Sequence, residues 1–407
     1  MRRIGIIGGG QLGRMTIEEA RKYGGAIDVL APEWPSPAAA LADEVVIGAL
    51  DDGGAIRELA ARVDVLSYEI EKVDAATLAE LEREGKTVMP GAAVLAVAQD
   101  KARQKKLWDK AGIPSAPWAL VEGLDEEALA ALEPMRSGAL RAAAIAKAAE
   151  RIGGFPVVQK ARRGGYDGRG VASLDSPGDA VAKALPVPSL VERRLDFAKE
   201  LAVVVVRAPD GETAVYPCVE MVFDPRANLC ESVLAPADES EGVRRAAEEL
   251  ALRVVRALDE AAKAAGSPSG AAGVFGVELF LMRDGTILVN EAAPRPHNSG
   301  HFGIEACASS QFDQYYRVLA GLPPGSTELL RPAMMMNLLG APGSSGEPEI
   351  LGLERALAVP GVSVHLYGKA EVRPFRKMGH LTALGRTAAE ARERAEAALD
   401  CIRITGR

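Results

Sequence analysis

Asn290-Glu291-Ala292-Ala293-Pro294-Arg295-Pro296-His297-Asn298-Ser299-Gly300-His301 follows a strand-like run that contains Glu278. A buried apolar strand has little use for Glu278, and its neighbour little use for Glu291, unless a cation lies between them. Two carboxylates at facing strand positions suit Mg²⁺, a hard cation that takes oxygen ligands and keeps contacts to substrate phosphates. Beyond Glu291 the loop offers Arg295, His297 and Asn298, an anion-binding trio beside the metal. Such a layout handles a nucleoside triphosphate together with a second small anion.

Working outward, the two runs 274–282 and 286–292 turn at Asp284-Gly285, a hairpin signal. The longest helix is expected over 239–264, with Val243, Leu250, Val254 and Leu258 on one stripe and Gly266 and Pro268 closing it. Antiparallel-looking runs at 200–207, 214–216 and 219–223 precede it. Further back lies a small mixed unit with strands at 157–160, 171–174 and 190–192. An Ala-rich stretch, 126–152, reads as one or two helices interrupted around Pro134 and Gly138, and 100–111 reads as a helix closed by Gly112 and Pro114. Residues 1 to about 98 alternate short strands (4–7, 27–31, 45–47, 63–68, 87–89) with helical patterns such as 11–23 and 75–84. That alternation predicts a parallel, doubly wound sheet whose sites form beyond the carboxyl ends of its strands. After a Gly/Ser/Pro-rich loop at 341–348 comes a small terminal unit with strands at 362–367 and 380–384 and a helix at 387–399. The expected organisation is therefore 1–98, 99–330 with a lid subdomain at about 115–195, and 331–407.

At 407 residues the chain exceeds a single core. It is 48% hydrophobic and 26% charged, the profile of a soluble globular protein. A net charge of -8 argues against a nucleic-acid partner. Cys218, Cys230, Cys307 and Cys401 are scattered, with no Cys-x-x-Cys pair, so reduced thiols are expected rather than a zinc site or a disulfide framework. No apolar run suits a signal peptide or a membrane span, and a cytoplasmic protein is expected.

Four further clusters carry chemistry. Gly8-Gly9-Gly10-Gln11-Leu12-Gly13 has G-x-G-x-x-G spacing at a strand–turn–helix. The acid expected after the second strand is only loosely met by Glu33, and Gln11 is an unusual group to aim at a pyrophosphate. A tight turn without nucleotide, or a substrate-phosphate role, therefore ranks above NAD. In Ser67-Tyr68-Glu69-Ile70-Glu71, alternation puts Glu69 and Glu71 on one face at the sheet's carboxyl edge. Gly164-Gly165-Tyr166-Asp167-Gly168-Arg169-Gly170, with Lys160 just before it, has more glycines and cations than a hairpin requires, and suits a lid over β- and γ-phosphates. Glu192-Arg193-Arg194-Leu195 with Glu200 reads either as an edge-strand charge pair or as a hinge that reads adenine and ribose. Lys369, Arg373, Arg376 and Lys377 crowd around Tyr367-Gly368 and Phe375, as a solvated basic loop or as a phosphate site. All four histidines, at 297, 301, 365 and 380, lie in the C-terminal part, and His297 is the functional candidate.

Together these stretches resemble the ATP-grasp superfamily and, within it, the N5-carboxyaminoimidazole ribonucleotide synthetases of purine biosynthesis. The resemblance spans nearly the whole chain and is most specific at 164–170 and 290–301. It implies an ATP-grasp fold, mixing α/β and α+β parts, with an N-terminal Rossmann-like parallel sheet and a small C-terminal domain. It implies ATP on Lys101, Lys160, the lid (Gly165, Tyr166, Asp167, Gly168, Arg169, Gly170, Val171), the hinge (Glu192, Arg193, Arg194, Leu195), Glu200 and Asn290. Mg²⁺, with Mn²⁺ able to substitute, would sit on Glu278 and Glu291. Bicarbonate would lie near Arg295, His297 and Asn298 as the catalytic group. The ribonucleotide would meet Gln11, Leu12, Glu69, Tyr166, Asp167 and Arg169, and its phosphate Lys369, Arg376 and Lys377. Members are commonly homodimers. Three positions depart from the family: Phe223 where relatives often have His, Lys101 for the usual Arg, and Lys72 for the common Asn.

The implied reaction is ATP- and bicarbonate-dependent carboxylation of the exocyclic amine of 5-aminoimidazole ribonucleotide through carboxyphosphate, releasing ADP and phosphate. The rivals are a formate-dependent glycinamide ribonucleotide transformylase, which shares the Arg-Pro-His loop and the C-terminal cations, and an NAD-dependent oxidoreductase built on the 8–13 turn.

Overall fold

The computed structural model describes residues 1–122, 134–165, 170–224 and 229–407. The chain divides into two compact units, one formed by 1–95, 200–278 and 292–407, the other by 96–199 and 279–291.

The first unit opens with the parallel sheet that the alternating pattern predicts. Its strands are β1 (Ile4–Ile7), β2 (Ile27–Ala31), β3 (Val45–Ile47), β4 (Val65–Tyr68) and β5 (Thr87–Val88), in the order β3-β2-β1-β4-β5. Strand β1 is buried along its whole length, as a strand covered on both faces must be. It pairs in parallel with β2 (Ile7↔Leu30) and β4 (Ile7↔Tyr68). Strand β4 starts two residues later than the apolar run suggests, because Val63 caps the helix Gly53–Arg62. Gly8–Gly10 and Glu69 thus leave the carboxyl ends of two adjacent strands, the edge at which sites form in such sheets.

The second unit contains the sheet β6 (Trp118–Leu120), β7 (Val157–Ala161), β8 (Val171–Leu174) and β9 (Ser189–Arg193), ordered β6-β9-β7-β8 with every pair antiparallel. Ala142, Ile145, Ala149, Val157, Leu174 and Val191 share its core. Of the Ala-rich stretch, 126–133 lies outside the described residues. The rest forms one helix, Pro134–Glu150, which runs through Gly138 without the interruption expected there. Pro134 occupies the first helical position, where its missing N–H costs nothing, and Gly138 is carried inside the helix.

The chain then forms β10 (Phe197–Arg207), β11 (Thr213–Val215), β12 (Val219–Asp224), β13 (Leu229–Ala235), β14 (Gly273–Met282), β15 (Ile287–Ala293), β16 (Ala333–Leu339), β17 (Pro348–Leu351), β18 (Val362–Leu366), β19 (Lys377–Leu384) and β20 (Arg403–Gly406). In the first unit the order β14-β10-β12-β13-β16-β19-β18 makes one long sheet, which the C-terminal strands β16, β19 and β18 extend. Strands β17 and β20 pair separately. The helix Glu241–Ala264 starts after Ser240, whose hydroxyl accepts the Val243 N–H at 3.3 Å. Its buried stripe runs through Ala247, Leu250, Val254 and Leu258, while Val243 is half-buried. Sequence reasoning missed β13 and β16. In β16, Ala333-Met334-Met335-Met336-Asn337-Leu338 is buried throughout, so no alternation marks it, and unbranched Met signals no strand.

Candidate active site

In the second unit the site grows from the helix Lys101–Lys110. Asp100 caps it, accepting from Ala102 N–H at 3.0 Å while receiving the Arg162 guanidinium at 3.2 Å through Nε. Capping fixes the helical phase, so Lys101 and Lys105, four residues apart, share a face. The Lys101 ammonium pairs with the Glu291 carboxylate. Lys105 is only 2% exposed, and its Nζ stands 3.2 Å from Glu192 Oε1. From β7, Lys160 Nζ donates to the other Glu192 oxygen at 3.1 Å and to Asn290 Oδ1 at 2.9 Å. Burial pushes the Glu192 carboxyl up, but the Lys160 and Lys105 ammoniums outweigh it and hold the group below the usual carboxylate range. Burial also draws Lys105 below its ordinary value, against the pull of Glu192.

Around this core the expected hinge divides. Glu192 points inward and is buried. The Arg193 guanidinium donates instead to the Ile152 carbonyl at 3.1 Å, and Arg194 pairs with Asp175. Backbone N–H groups of Arg193 and Arg194 are spent on the Pro117 and Pro156 carbonyls at 2.9 and 3.3 Å. Those two amides are therefore not available to an adenine edge. Leu195 and Glu200 are half-buried. The lid residues Tyr166, Asp167, Gly168 and Arg169 lie outside the described residues. At the edges of that loop Gly164 and Gly170 have φ +73° and +76°, and a Cβ on Gly170 would stand 3.1 Å from that of Ala161. The turn thus requires glycine at its ends.

In the first unit the Gly8–Gly13 turn is filled by the protein itself. The Glu69 carboxylate accepts from Gly10 N–H and Gly13 N–H, at the N-terminus of the helix Gln11–Arg21. A pyrophosphate would need those same amides, so the turn does not serve NAD. Gly8, at φ +131°, has no room for a Cβ because Glu69 lies against it. Burial raises the Glu69 carboxyl above its ordinary value, while the two amides and the charges of Arg295 and Lys369 pull the other way. Leu12 packs with Met15, Phe312 and Tyr367. Arg295 Nε donates to Glu71 at 2.8 Å.

His297 is held on several sides. Its Nε2 is 3.3 Å from Glu278 Oε1 and its Nδ1 is 2.8 Å from the Ser299 hydroxyl. Gly276 on β14 makes this approach possible, since a Cβ there would overlap the imidazole. Asn298 and Asn337 exchange amide hydrogen bonds at 3.0 and 2.8 Å, and Asn337 also donates to the Cys230 carbonyl at 2.8 Å. Near the C-terminus, Lys369 Nζ donates to the Lys377 carbonyl at 2.6 Å and Arg376 to the Glu371 carbonyl at 2.7 Å. Arg373 turns to the Glu371 carboxylate at 2.7 Å. Main-chain oxygens and one acid thus relieve the crowding of these cations.

The structure therefore gathers Lys101, Lys160, Glu192, Asn290 and Glu291 in one unit. In the other it groups Glu69 with the glycine turn, Arg295 with Glu71, and Glu278 with His297. Lys105, Asn337 and Gln311 were missed. Lys105 carried a signal in its i,i+4 spacing from Lys101, and Asn337 as the one polar residue after three methionines. Among the described residues no group of three or more His, Cys, Asp or Glu is arranged to hold a metal, and no helix is long and apolar enough to cross a membrane. Among the described residues no two cysteines form a disulfide.

Comparison with known proteins places these groups in a lineage. Residues 1–99 match the ribonucleotide synthetase preATP-grasp domain, 127–312 the ATP-grasp domain, and 333–394 the phosphoribosylaminoimidazole carboxylase C-terminal domain. The N5-carboxyaminoimidazole ribonucleotide synthase of Brucella melitensis is 37% identical over 384 residues, spanning 93% of this chain and 95% of its own. The crystal structure of N5-carboxyaminoimidazole ribonucleotide synthetase from Thermotoga maritima is 42% identical, covers 100% of both chains and superposes with a TM-score of 0.84. The N5-carboxyaminoimidazole synthase of Aspergillus clavatus, solved with ADP and 5-aminoimidazole ribonucleotide, is 34% identical over 98% of both chains, with a TM-score of 0.84. Sharing its length with these proteins at such identity, the chain belongs to the N5-carboxyaminoimidazole ribonucleotide synthase family of ATP-grasp enzymes.

Proposed function

We propose that this chain uses ATP and bicarbonate to carboxylate the exocyclic amine of 5-aminoimidazole ribonucleotide, giving N5-carboxyaminoimidazole ribonucleotide, ADP and phosphate. The observation that carries this reading is the convergence of two ammonium groups on consecutive residues of β15, Lys160 on Asn290 and Lys101 on Glu291. Cations delivered from a helix and from a strand to one short segment suit a polyphosphate.

Lys101, Lys160, the 165–171 lid, the 192–195 hinge, Glu200 and Asn290 hold ATP, with Glu192 fixing the Lys160 ammonium. Glu278 and Glu291 are the Mg²⁺ ligands. Two carboxylates would suit a hard, oxygen-seeking cation, and Glu291 already holds one positive partner, the Lys101 ammonium. Bound there, Mg²⁺ supplies charge neutralisation on the phosphates. Arg295, His297 and Asn298 receive bicarbonate, whose oxygen attacks the γ-phosphorus while ADP leaves. The resulting carboxyphosphate is destroyed by water, so the lid excludes solvent. The exocyclic amine then gains the carboxyl group, loses a proton, and phosphate leaves. Gln11, Leu12, Glu69 and lid residues Tyr166, Asp167 and Arg169 meet the ribonucleotide, and Lys369, Arg376 and Lys377 its phosphate. Leu12, whose side chain is buried, serves through its backbone. We further propose a cytoplasmic homodimer.

A coupled assay of ADP release tests the reaction. ADP production should require bicarbonate and rise on adding 5-aminoimidazole ribonucleotide. Stimulation by formate with glycinamide ribonucleotide instead would move the chain to the sibling transformylase, and no stimulation by either acceptor would reject both.

A further inference from the structure

His297 is one loop residue among Pro296, Asn298 and Ser299, and the contacts of its imidazole with Glu278 and Ser299 do not by themselves fix the peptide that carries it. That peptide is gripped from the other side by Gln311, the first residue of the helix Gln311–Ala320, which follows the capping Ser310. Gln311 is fully buried. Its Oε1 accepts the His297 N–H at 2.9 Å, and its Nε2 donates to the His297 carbonyl at 2.7 Å. A side-chain amide thus pairs with both polar groups of one residue, as a neighbouring strand would. The second Nε2 hydrogen faces His301 Nδ1 at 3.0 Å. Burial pulls the His301 imidazole well below its ordinary value, with the nearby charges of His297 and Lys377 adding to the effect. With the Gln311 amide oriented by the His297 peptide, His301 Nδ1 faces an N–H donor and accepts from it, as a neutral imidazole can. Flipping the Gln311 amide would set its NH₂ against the His297 N–H, so only one orientation satisfies all three bonds.

Gly300 supports the same conclusion independently. A Cβ there would stand 2.5 Å from Gln311 Oε1 and 2.6 Å from Cδ. The glycine in Asn298-Ser299-Gly300 has ordinary backbone geometry, and its lack of a side chain admits the Gln311 amide. All four histidines of the chain belong to this neighbourhood. His301 and His380 have ring centroids 4.8 Å apart, and His380 stacks on His365 at 4.6 Å. His380 Nδ1 meets the Tyr367 hydroxyl at 3.0 Å and His365 Nε2 meets Glu305 at 2.5 Å, so the acceptor presented to Gln311 is itself packed in place.

We infer that Gln311 is a positioning residue for bicarbonate use, acting through the His297 peptide with His301 fixing its amide. The inference rests on the assignment of His297 to the bicarbonate pocket. Small displacements of a reacting group lower rates steeply, by up to about 100-fold per ångström.

The test compares Gln311→Ala, Gly300→Ala and His297→Ala in the full-length protein, with KM measured separately for bicarbonate and ATP. Gln311→Ala and Gly300→Ala are both expected to raise the bicarbonate KM about tenfold and lower kcat about tenfold, leaving the ATP KM within about twofold. A merely structural role would reduce the amount of active enzyme, lowering kcat with both KM values unchanged, and that result overturns the inference. So does an ATP KM that rises in step with that for bicarbonate. If Gln311→Ala does not fold, Gly300→Ala, which keeps the amide but displaces it, decides by the same criteria. His297→Ala separates the two levels. Unchanged bicarbonate kinetics there would reject the role of His297 itself, and the inference with it. A shift there without one in the Gln311 and Gly300 variants would reject the inference alone.

Discussion

Two buried glutamates, one in each unit, meet the same burial in opposite ways. Glu69 is 6% exposed and Glu192 is 3% exposed. Glu69 is held by two backbone amides at a helix start, and its carboxyl is raised. Glu192 is held between the ammoniums of Lys105 and Lys160, and its carboxyl is lowered. Amide dipoles carry only partial charge, so they do not fully offset the desolvation of a carboxylate, whereas two full cations do. The first arrangement leaves an acid that can still change protonation or shift toward a ligand hydroxyl or amine. The second is a strut kept ionised at neutral pH, and it holds two lysines in place.

Removing the strut is expected to have the largest effect. Glu192→Gln would leave Lys105 buried without a counter-charge, and breaking one side of a buried pair costs about 3–5 kcal/mol. Urea unfolding would report the loss, and ATP affinity should fall with it as Lys160 loses its anchor. The double variant Glu192→Leu with Lys105→Met sharpens the point. It should recover most of the stability, because apolar replacement of a whole buried pair is often neutral, while ATP affinity stays low. A single variant that loses less than about 1 kcal/mol would show that Glu192 is not the strut described.

On the Glu69 side the next largest effect belongs to Gly8→Ala. The position has φ +131°, and the added Cβ would meet the Glu69 side chain. Backbone strain of this kind costs about 1–3 kcal/mol. Displacing Glu69 should also free the Gly10 and Gly13 amides. If Gly8→Ala unfolds at the same urea concentration as the parent protein, Glu69 is not wedged as tightly as the geometry states.

The same pair shows what the sequence could disclose. Both glutamates stand in stretches that the sequence singled out, Glu69 by alternation at the strand end in 67–71 and Glu192 in the 192–195 stretch. The parallel sheet, the 273–293 hairpin and the long 241–264 helix were equally legible, because each repeats one simple period over enough residues. The partners were not legible. Glu69 is answered by backbone amides, which have no letter of their own. Glu192 is answered by Lys105, 87 positions earlier in an amphipathic helix where a lysine ordinarily reads as solvated surface. Gln311 was hidden for a related reason, since its three bonds go to a peptide and an imidazole that the chain brings near only after folding. Strand β16 escaped because complete burial erases the alternation that announces a strand.

The smallest effect, and the most direct contrast, is in pH dependence. Glu69 has a folded pKa above its unfolded value, so its contribution to stability is fully present below the ordinary glutamate value of about 4.3 and is lost as pH rises through the folded pKa. Glu192 has a folded pKa below its unfolded value, so its contribution is present above about 4.3 and is lost as pH falls through the folded pKa. Replacing either acid by its amide removes that titration. Relative to the parent, Glu69→Gln should therefore become more stable as pH climbs above about 4.3, because only the parent loses stability there. Glu192→Gln should show a steady deficit above about pH 5 that narrows as the solution is acidified below about 4.3. Urea unfolding of both variants across this range gives two difference curves. Curves that bend in the same direction would mean that dipoles and ammoniums neutralise a buried carboxylate equally well here.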